Sequence, residues 1–175
     1  VVVLRPGCIY GGGSPQWSTR IARLLRERRI GDLGADGDGI CNAVHVVDVA
    51  RAVAAALTTP GIAGEVFNLA MAPPPTWNGY FLAYAKALGA VPLQRIGARR
   101  LKIETKLLAP VLKIAEIVGK KAGLGADRFP PPIPPSLLRL WRQEIRLEAG
   151  KAQRVLGVTW MGLEEGLSSA ARSPG

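Results

Sequence analysis

Three groups of residues in this 175-residue chain have types and spacings that could do chemistry. Gly31-x-x-Gly34-x-x-Gly37 has the glycine spacing of a dinucleotide loop. A working loop of that kind follows a buried strand and opens a helix, whose N-terminus then faces pyrophosphate. Here an arginine-rich helical stretch precedes the glycines and a strand follows, so the spacing reads as a plain turn. Asp32, Asp36 and Asp38 suggest a calcium loop, but the glycine at position 34 and Val47, where a bidentate Glu should stand, argue against one. His45 and Asp48 could belong to a proton relay. With no activated Ser in view they read better as a structural pair, Asp48 being a helix cap. Cys8, Cys41 and a single His cannot close a tetrahedral zinc shell and imply no disulfide framework.

The elements that must position these residues follow from periodicity. Residues 1–5 form a β-branched run ended by Pro6-Gly7, the pattern of a strand buried on both faces of a parallel sheet. Residues 8–15 form a glycine-rich loop, and residues 17–29 a helix with Trp17, Ile21, Leu24 and Leu25 on one face. A short strand at 43–47, a helix at 48–59, a strand at 64–70 and a helix from Thr76 to Gly89 follow. Residues 93–96 read as a further strand. Residues 104–121 read as an amphipathic helix, apolar at Leu107, Leu108, Val111, Leu112, Ala115 and Val118, kinked by Pro110. The proline-rich residues 129–135 make an extended connector or a loop crossing over a pocket. Short helices close the chain at 136–141, 151–156 and 163–171. The alternation is that of an α/β fold.

Apolar residues make up 48% of the sequence, as in a globular domain, and the formal net charge is +10. The cations are scattered and lack the interleaved aromatics of a base-stacking platform, so nucleic acid is not an expected partner. The helix at 104–121, with Lys106, Lys113, Lys120 and Lys121, could lie on a membrane. The reading preferred here is a lid or core helix. No run reaches the roughly 18 apolar residues of a membrane span, and nothing marks secretion, so the cytoplasm is the expected location. The chain opens on Val1-Val2-Val3-Leu4, in mid-strand and without an initiator Met, and is expected to be a fragment.

Four segments in order resemble the extended short-chain dehydrogenase/reductase family, the NAD(P)-dependent epimerases, dehydratases and related reductases. Residues 2–11, VVLRPGCIYG, look like the family's sixth strand and the loop after it. Residues 42–50, NAVHVVDVA, are similar to its hVxDvA segment, and residues 64–70, GEVFNLA, to its last core strand. Residues 151–157 with 163–167 resemble its C-terminal ending. The resemblance implies the C-terminal part of a Rossmann-type parallel sheet plus a small, mainly helical substrate-binding lobe. Residues 1–10, 48–59 and 64–70 would belong to the dinucleotide-binding core, residues 11–47 and 71–175 mainly to the lobe.

It also implies NAD or NADP as cofactor in the full-length protein, contacted at the nicotinamide end by Pro6, Gly7, Cys8, Ile9 and Tyr10. Substrate contacts are expected at Trp17, Asn42, Arg95 and Arg99. The substrate would be a nucleotide-sugar or another carbonyl or hydroxyl compound, and the other partner the N-terminal half of the protein. Homodimers are common in the family. Tyr10, Tyr80 and Tyr84 are followed four residues on by Ser14, Tyr84 and Leu88, so these residues hold no Tyr-x-x-x-Lys pair. Hydride transfer at a carbinol carbon needs that acid/base and a cofactor. The expected function is therefore the substrate-binding part of an NAD(P)-dependent enzyme, inactive alone. Family epimerases often place an Arg just before the 43–47 strand to grip substrate phosphate; Cys41 stands there, which leaves room for a less charged substrate. A non-catalytic nucleotide- or sugar-binding module and a basic membrane-peripheral protein are the alternatives.

Overall fold

The computed structural model describes residues 1–121 and 130–172. Its centre is a small parallel sheet that changes partners half-way. Strand β1 (Val3–Pro6) runs parallel to β4 (Val66–Leu69), with Val3 opposite Val66 and Pro6 opposite Leu69. After Gly7 the same chain continues as β2 (Cys8–Tyr10), now parallel to β3 (Ala43–His45). The hand-over is hydrogen-bonded throughout. Gly7 N–H donates to Leu69 O (2.9 Å), Cys8 N–H to Asn42 O (2.8 Å) and Met71 N–H to Ala43 O (2.8 Å). So β3 enters between the two strands where β1 and β4 part.

Helix α1 (Arg20–Arg26) follows a wide turn over Pro15–Thr19, which Ser14 caps by accepting from Trp17 N–H. Its end is a Schellman turn: Arg29 N–H donates to Leu24 O and Arg28 N–H to Leu25 O. Arg28 occupies the left-handed conformation that such a turn requires, with φ 55°. Helix α2 (Val46–Thr58) begins earlier than the sequence suggested. The cap is His45, not Asp48: His45 is extended and its Nδ1 accepts from Val47 N–H at 3.3 Å. Asp48 therefore stands inside the first turn, where an acid still suits the helix dipole.

Helix α3 (Trp77–Ala87) is capped by Thr76, whose Oγ1 accepts from Gly79 N–H at 3.0 Å. Residues 93–96 do not form the expected strand. They make one parallel bridge, Arg95 to Asp32, on a segment otherwise irregular. The long amphipathic helix is one continuous rod of three parts: α4 (Ala98–Ile103), a wide π-turn over Glu104–Leu108, and α5 (Ala109–Lys121). Pro110 has no N–H for the carbonyl one turn back and its ring crowds that turn; widening the helix just before it accommodates both. Helices α6 (Pro135–Trp141), α7 (Gly150–Leu156) and α8 (Leu163–Arg172) complete the chain, α7 ending at a left-handed Gly157.

Two cores result. Val44, Phe67 and Leu69 of the sheet pack with Ala52 of α2 and Ala152 and Leu156 of α7. A larger aromatic core joins Tyr10 to Trp77, Tyr80, Phe81 and Trp141, with Ile21 and Leu24 of α1 and Leu167 of α8.

Candidate functional site

In open α/β sheets ligands bind beyond the carboxyl ends of the strands, where the backbone leaves unpaired groups and loops diverge. Here that edge comprises Pro6 to Tyr10, the loop after it, the start of α2 and the loop after β4. Gly7 is the pivot. A Cβ on it would lie 2.0 Å from Asn42 O, so only glycine allows β3 to come this close. Pro6 is exposed and Cys8 and Ile9 are half-buried, whereas Tyr10 is completely buried. Its ring stacks edge-on against His45 (5.2 Å) and Tyr80 (5.7 Å), and its hydroxyl lies against Gly166 of α8. Tyr10 can reach a ligand only through its backbone. Burial pushes the Cys8 thiol up to about 12, so it stays protonated at neutral pH and is not a nucleophile.

Asn42 adjoins this loop, but its side chain is already engaged. Its Nδ2 donates to Ile145 O (2.8 Å) and its Oδ1 accepts from Leu147 N–H (2.9 Å), which ties the segment before α7 to the sheet. Trp17 lies 5.5 Å from Trp77, and its carbonyl accepts from the Tyr80 hydroxyl at 2.7 Å. It too is tied to the aromatic core that Tyr10 enters. Arg95 and Arg99 belong to another neighbourhood. Arg95 is exposed and faces Asp32 at 3.8 Å; Arg99 is exposed on α4. The structure thus brings together Pro6–Tyr10, Trp17 and Asn42, and leaves Arg95 with the turn after α1 and Arg99 on the exposed side of α4.

That turn is structural. Gly34 has φ +58°, and a Cβ on Gly31 would meet Gln94 O at 2.1 Å. Asp32 accepts from Gly34 N–H, Asp36 from Arg142 at 2.8 Å and Asp38 from Asn78 at 2.9 Å. All three carboxylates are used to fold the loop. Cys41 is fully buried and its thiol is raised by burial, with Cys8 adding to it.

The residue that sequence reasoning misplaced is Asp48. Buried on α2, it accepts from the Met161 N–H at 2.8 Å and from Arg51 at 3.2 Å, so it holds the 158–162 segment against the sheet. The same segment, through Trp160 to Leu163, faces Met71 to Pro75 across a cleft of about 410 Å3 just beyond the carboxyl end of β4. A second, larger cleft of about 590 Å3 runs along the helical rod, lined by Pro132, Pro134 and Pro135 with Lys106, Ala109 and Pro110. The proline segment thus lines one wall of a cleft. Phe129 lies outside the described residues.

No family profile and no curated protein sequence matches the chain. Solved structures do. The UDP-glucuronic acid 4-epimerase of Bacillus cereus, in complex with UDP-glucuronic acid and NAD, matches 99% of this chain at 19% identity and TM-score 0.62. The UDP-glucose 4-epimerase of Thermotoga maritima, with UDP-glucose, matches 98% at 23% identity and TM-score 0.62. WbmF of Bordetella bronchiseptica, in complex with NAD+ and UDP, matches 98% at 16% identity and TM-score 0.58. The chain has the fold of the C-terminal part of these Rossmann-type proteins. It spans 44%, 45% and 44% of their respective lengths. The α/β fold with a Rossmann-type parallel sheet expected from the sequence is thus the one observed.

Proposed function

We propose that the chain is the C-terminal part of an NAD(P)-dependent enzyme of the epimerase, dehydratase or reductase type, located in the cytoplasm. The observation that carries this reading is the partner change at Gly7. It sets Pro6, Gly7 and Cys8 at the carboxyl ends of parallel strands, within a fold that relatives use with a dinucleotide. The loop suits the ring end of such a cofactor rather than its phosphates. The Gly7 and Cys8 N–H groups are spent on the sheet, so what remains is the exposed Pro6 ring, a protonated thiol and backbone carbonyls. Those groups would pack against and orient a neutral ring; NAD or NADP, when bound, would supply the hydride acceptor. Residues 11–47 and 71–175 then form most of the substrate lobe, with residues 1–10, 48–59 and 64–70 in the dinucleotide-binding core. The acid/base Tyr-x-x-x-Lys would come from a preceding segment, since none is present in these 175 residues.

Nucleotide-sugars are the substrates named for the relatives, and a nucleotide-sugar or another carbonyl or hydroxyl compound is the class proposed here. The buried thiol of Cys41, where epimerases of this type often carry a phosphate-gripping Arg, favours the less charged end of that class.

The test is calorimetric titration of the full-length protein with NAD and with NADP, followed by turnover assays on UDP-glucose and on neutral hydroxyl and carbonyl compounds. We expect one dinucleotide to bind and Cys8→Asp, which adds charge at the ring end, to weaken it about tenfold. A folded full-length protein that binds neither dinucleotide refutes the proposal, as does a coding sequence with no glycine-rich strand-turn-helix before Val1.

A further inference from the structure

We propose that the rod formed by α4, the Glu104–Leu108 turn and α5 is an interfacial helix that lies on an anionic lipid surface. The sequence leaves the apolar stripe to a lid, a core or a membrane surface, and among the described residues no element covers it. Ile103 (51% exposed), Leu107 (65%), Val111 (62%), Ile114 (62%) and Val118 (59%) recur at spacings of four, four, three and four, and all are open to solvent. Isolated exposed apolar residues need no explanation, but a contiguous row over four helical turns does. What anchors the rod to the rest of the chain is its other side, where Leu101, Glu104, Thr105 and Ala109 are buried.

Charge decides what covers the stripe. Residues 98–121 contain seven Lys and Arg against two Glu, and Glu104 is turned inward onto Arg29 at 2.7 Å. Lys102 and Lys106, one turn apart, are both exposed beside the stripe. A second copy of the chain would bring two such cationic rods together, and their repulsion opposes that pairing. An anionic membrane satisfies both features at once: acyl chains take the apolar row and headgroup phosphates take the lysines. Among the described residues no helix is long and apolar enough to cross a membrane, so the rod would lie in the interface plane. This inference rests on the rod alone and is independent of the cofactor reading.

Flotation of the full-length protein with vesicles of phosphatidylcholine, with and without phosphatidylserine, tests it. We expect co-flotation with the anionic vesicles, little with the neutral ones, and loss of binding as salt is raised. Val111→Ser/Ile114→Ser and, separately, Lys102→Glu/Lys106→Glu should each lower partitioning about tenfold or more, with helical circular dichroism unchanged because all four side chains are exposed. Three results would overturn the proposal. One is no co-flotation with anionic vesicles at low salt, and another is unaltered binding by both variants. The third is a concentration-dependent dimer in sedimentation that Val111→Ser/Ile114→Ser abolishes while vesicles leave it intact.

Discussion

Asp48 and His45 sit three residues apart on one helix start and do unlike things. The Asp48 carboxylate is buried and accepts two hydrogen bonds, one from a backbone N–H 113 residues away. Removing it deprives the partly buried Met161 N–H of its acceptor and empties a fully buried position, whereas the exposed Arg51 can turn to water. Asp48→Ala should therefore destabilise the chain by about 2–3 kcal/mol in urea unfolding, well above a surface substitution. His45 is the only histidine, so the chain's stability between pH 5 and 7 isolates it. Burial lowers its pKa, opposed by Asp48 and Glu165. The unfolded chain takes up that proton near the ordinary value of about 6.5, the folded one only at lower pH. The stabilisation is thus complete above about pH 6.5 and lost as pH falls through the lowered value. Melting temperatures at pH 7.5 and 5.5 should differ less for His45→Asn, which keeps a capping acceptor, than for the parent chain. Equal differences would show that His45 does not titrate in this way.

Among the elements, the junction of α1 with the helical rod contains a largely buried ion pair. Arg29 donates from Nη2 to Glu104 at 2.7 Å and from Nη1 to the carbonyl of Pro131 at 2.8 Å, and both charged side chains are largely shielded from solvent. A buried charge left without its partner is costly, whereas an apolar pair of like volume is not. Arg29→Met alone should cost about 3–5 kcal/mol, and Arg29→Met/Glu104→Leu should recover most of that loss. A double-mutant cycle by urea unfolding reads the difference; equal losses in the single and double variants would mean the two side chains are not coupled. The same junction carries the π-turn before Pro110, so the rod's direction is set where its charge is neutralised. The exposed stripe along α5 then follows from the anchoring side chains rather than from the stripe itself.

For the molecule as a whole, the informative edge is that of β1. It is hydrogen-bonded to β4 on one side, Val3 N–H to Glu65 O and Gly7 N–H to Leu69 O, and alternate residues of a parallel strand turn their N–H groups the other way. Leu4 therefore presents its amide to the opposite edge. Hydrogen exchange of the 175-residue chain should show Leu4 exchanging faster than Val3 and Gly7. In the full-length protein a neighbouring strand should protect it; an already protected Leu4 in the isolated chain would contradict this. Much of the architecture could be read without coordinates. The β-branched run ended by Pro6-Gly7, the Thr76 cap, the Gly157 stop and the turn glycine 34 are local signals, because strand period, capping chemistry and left-handed φ are properties of short stretches of chain. The α/β fold followed from their order. Tertiary structure alone decided the rest. Nothing local pairs Asp48 with Met161 or Arg29 with Glu104, and nothing local says that Tyr10 is buried while Pro6 is open. The stripe on residues 103–118 makes the division plain: periodicity determines that a helix has an apolar face, but what covers that face depends on the packing of distant elements, and here none of the described ones does.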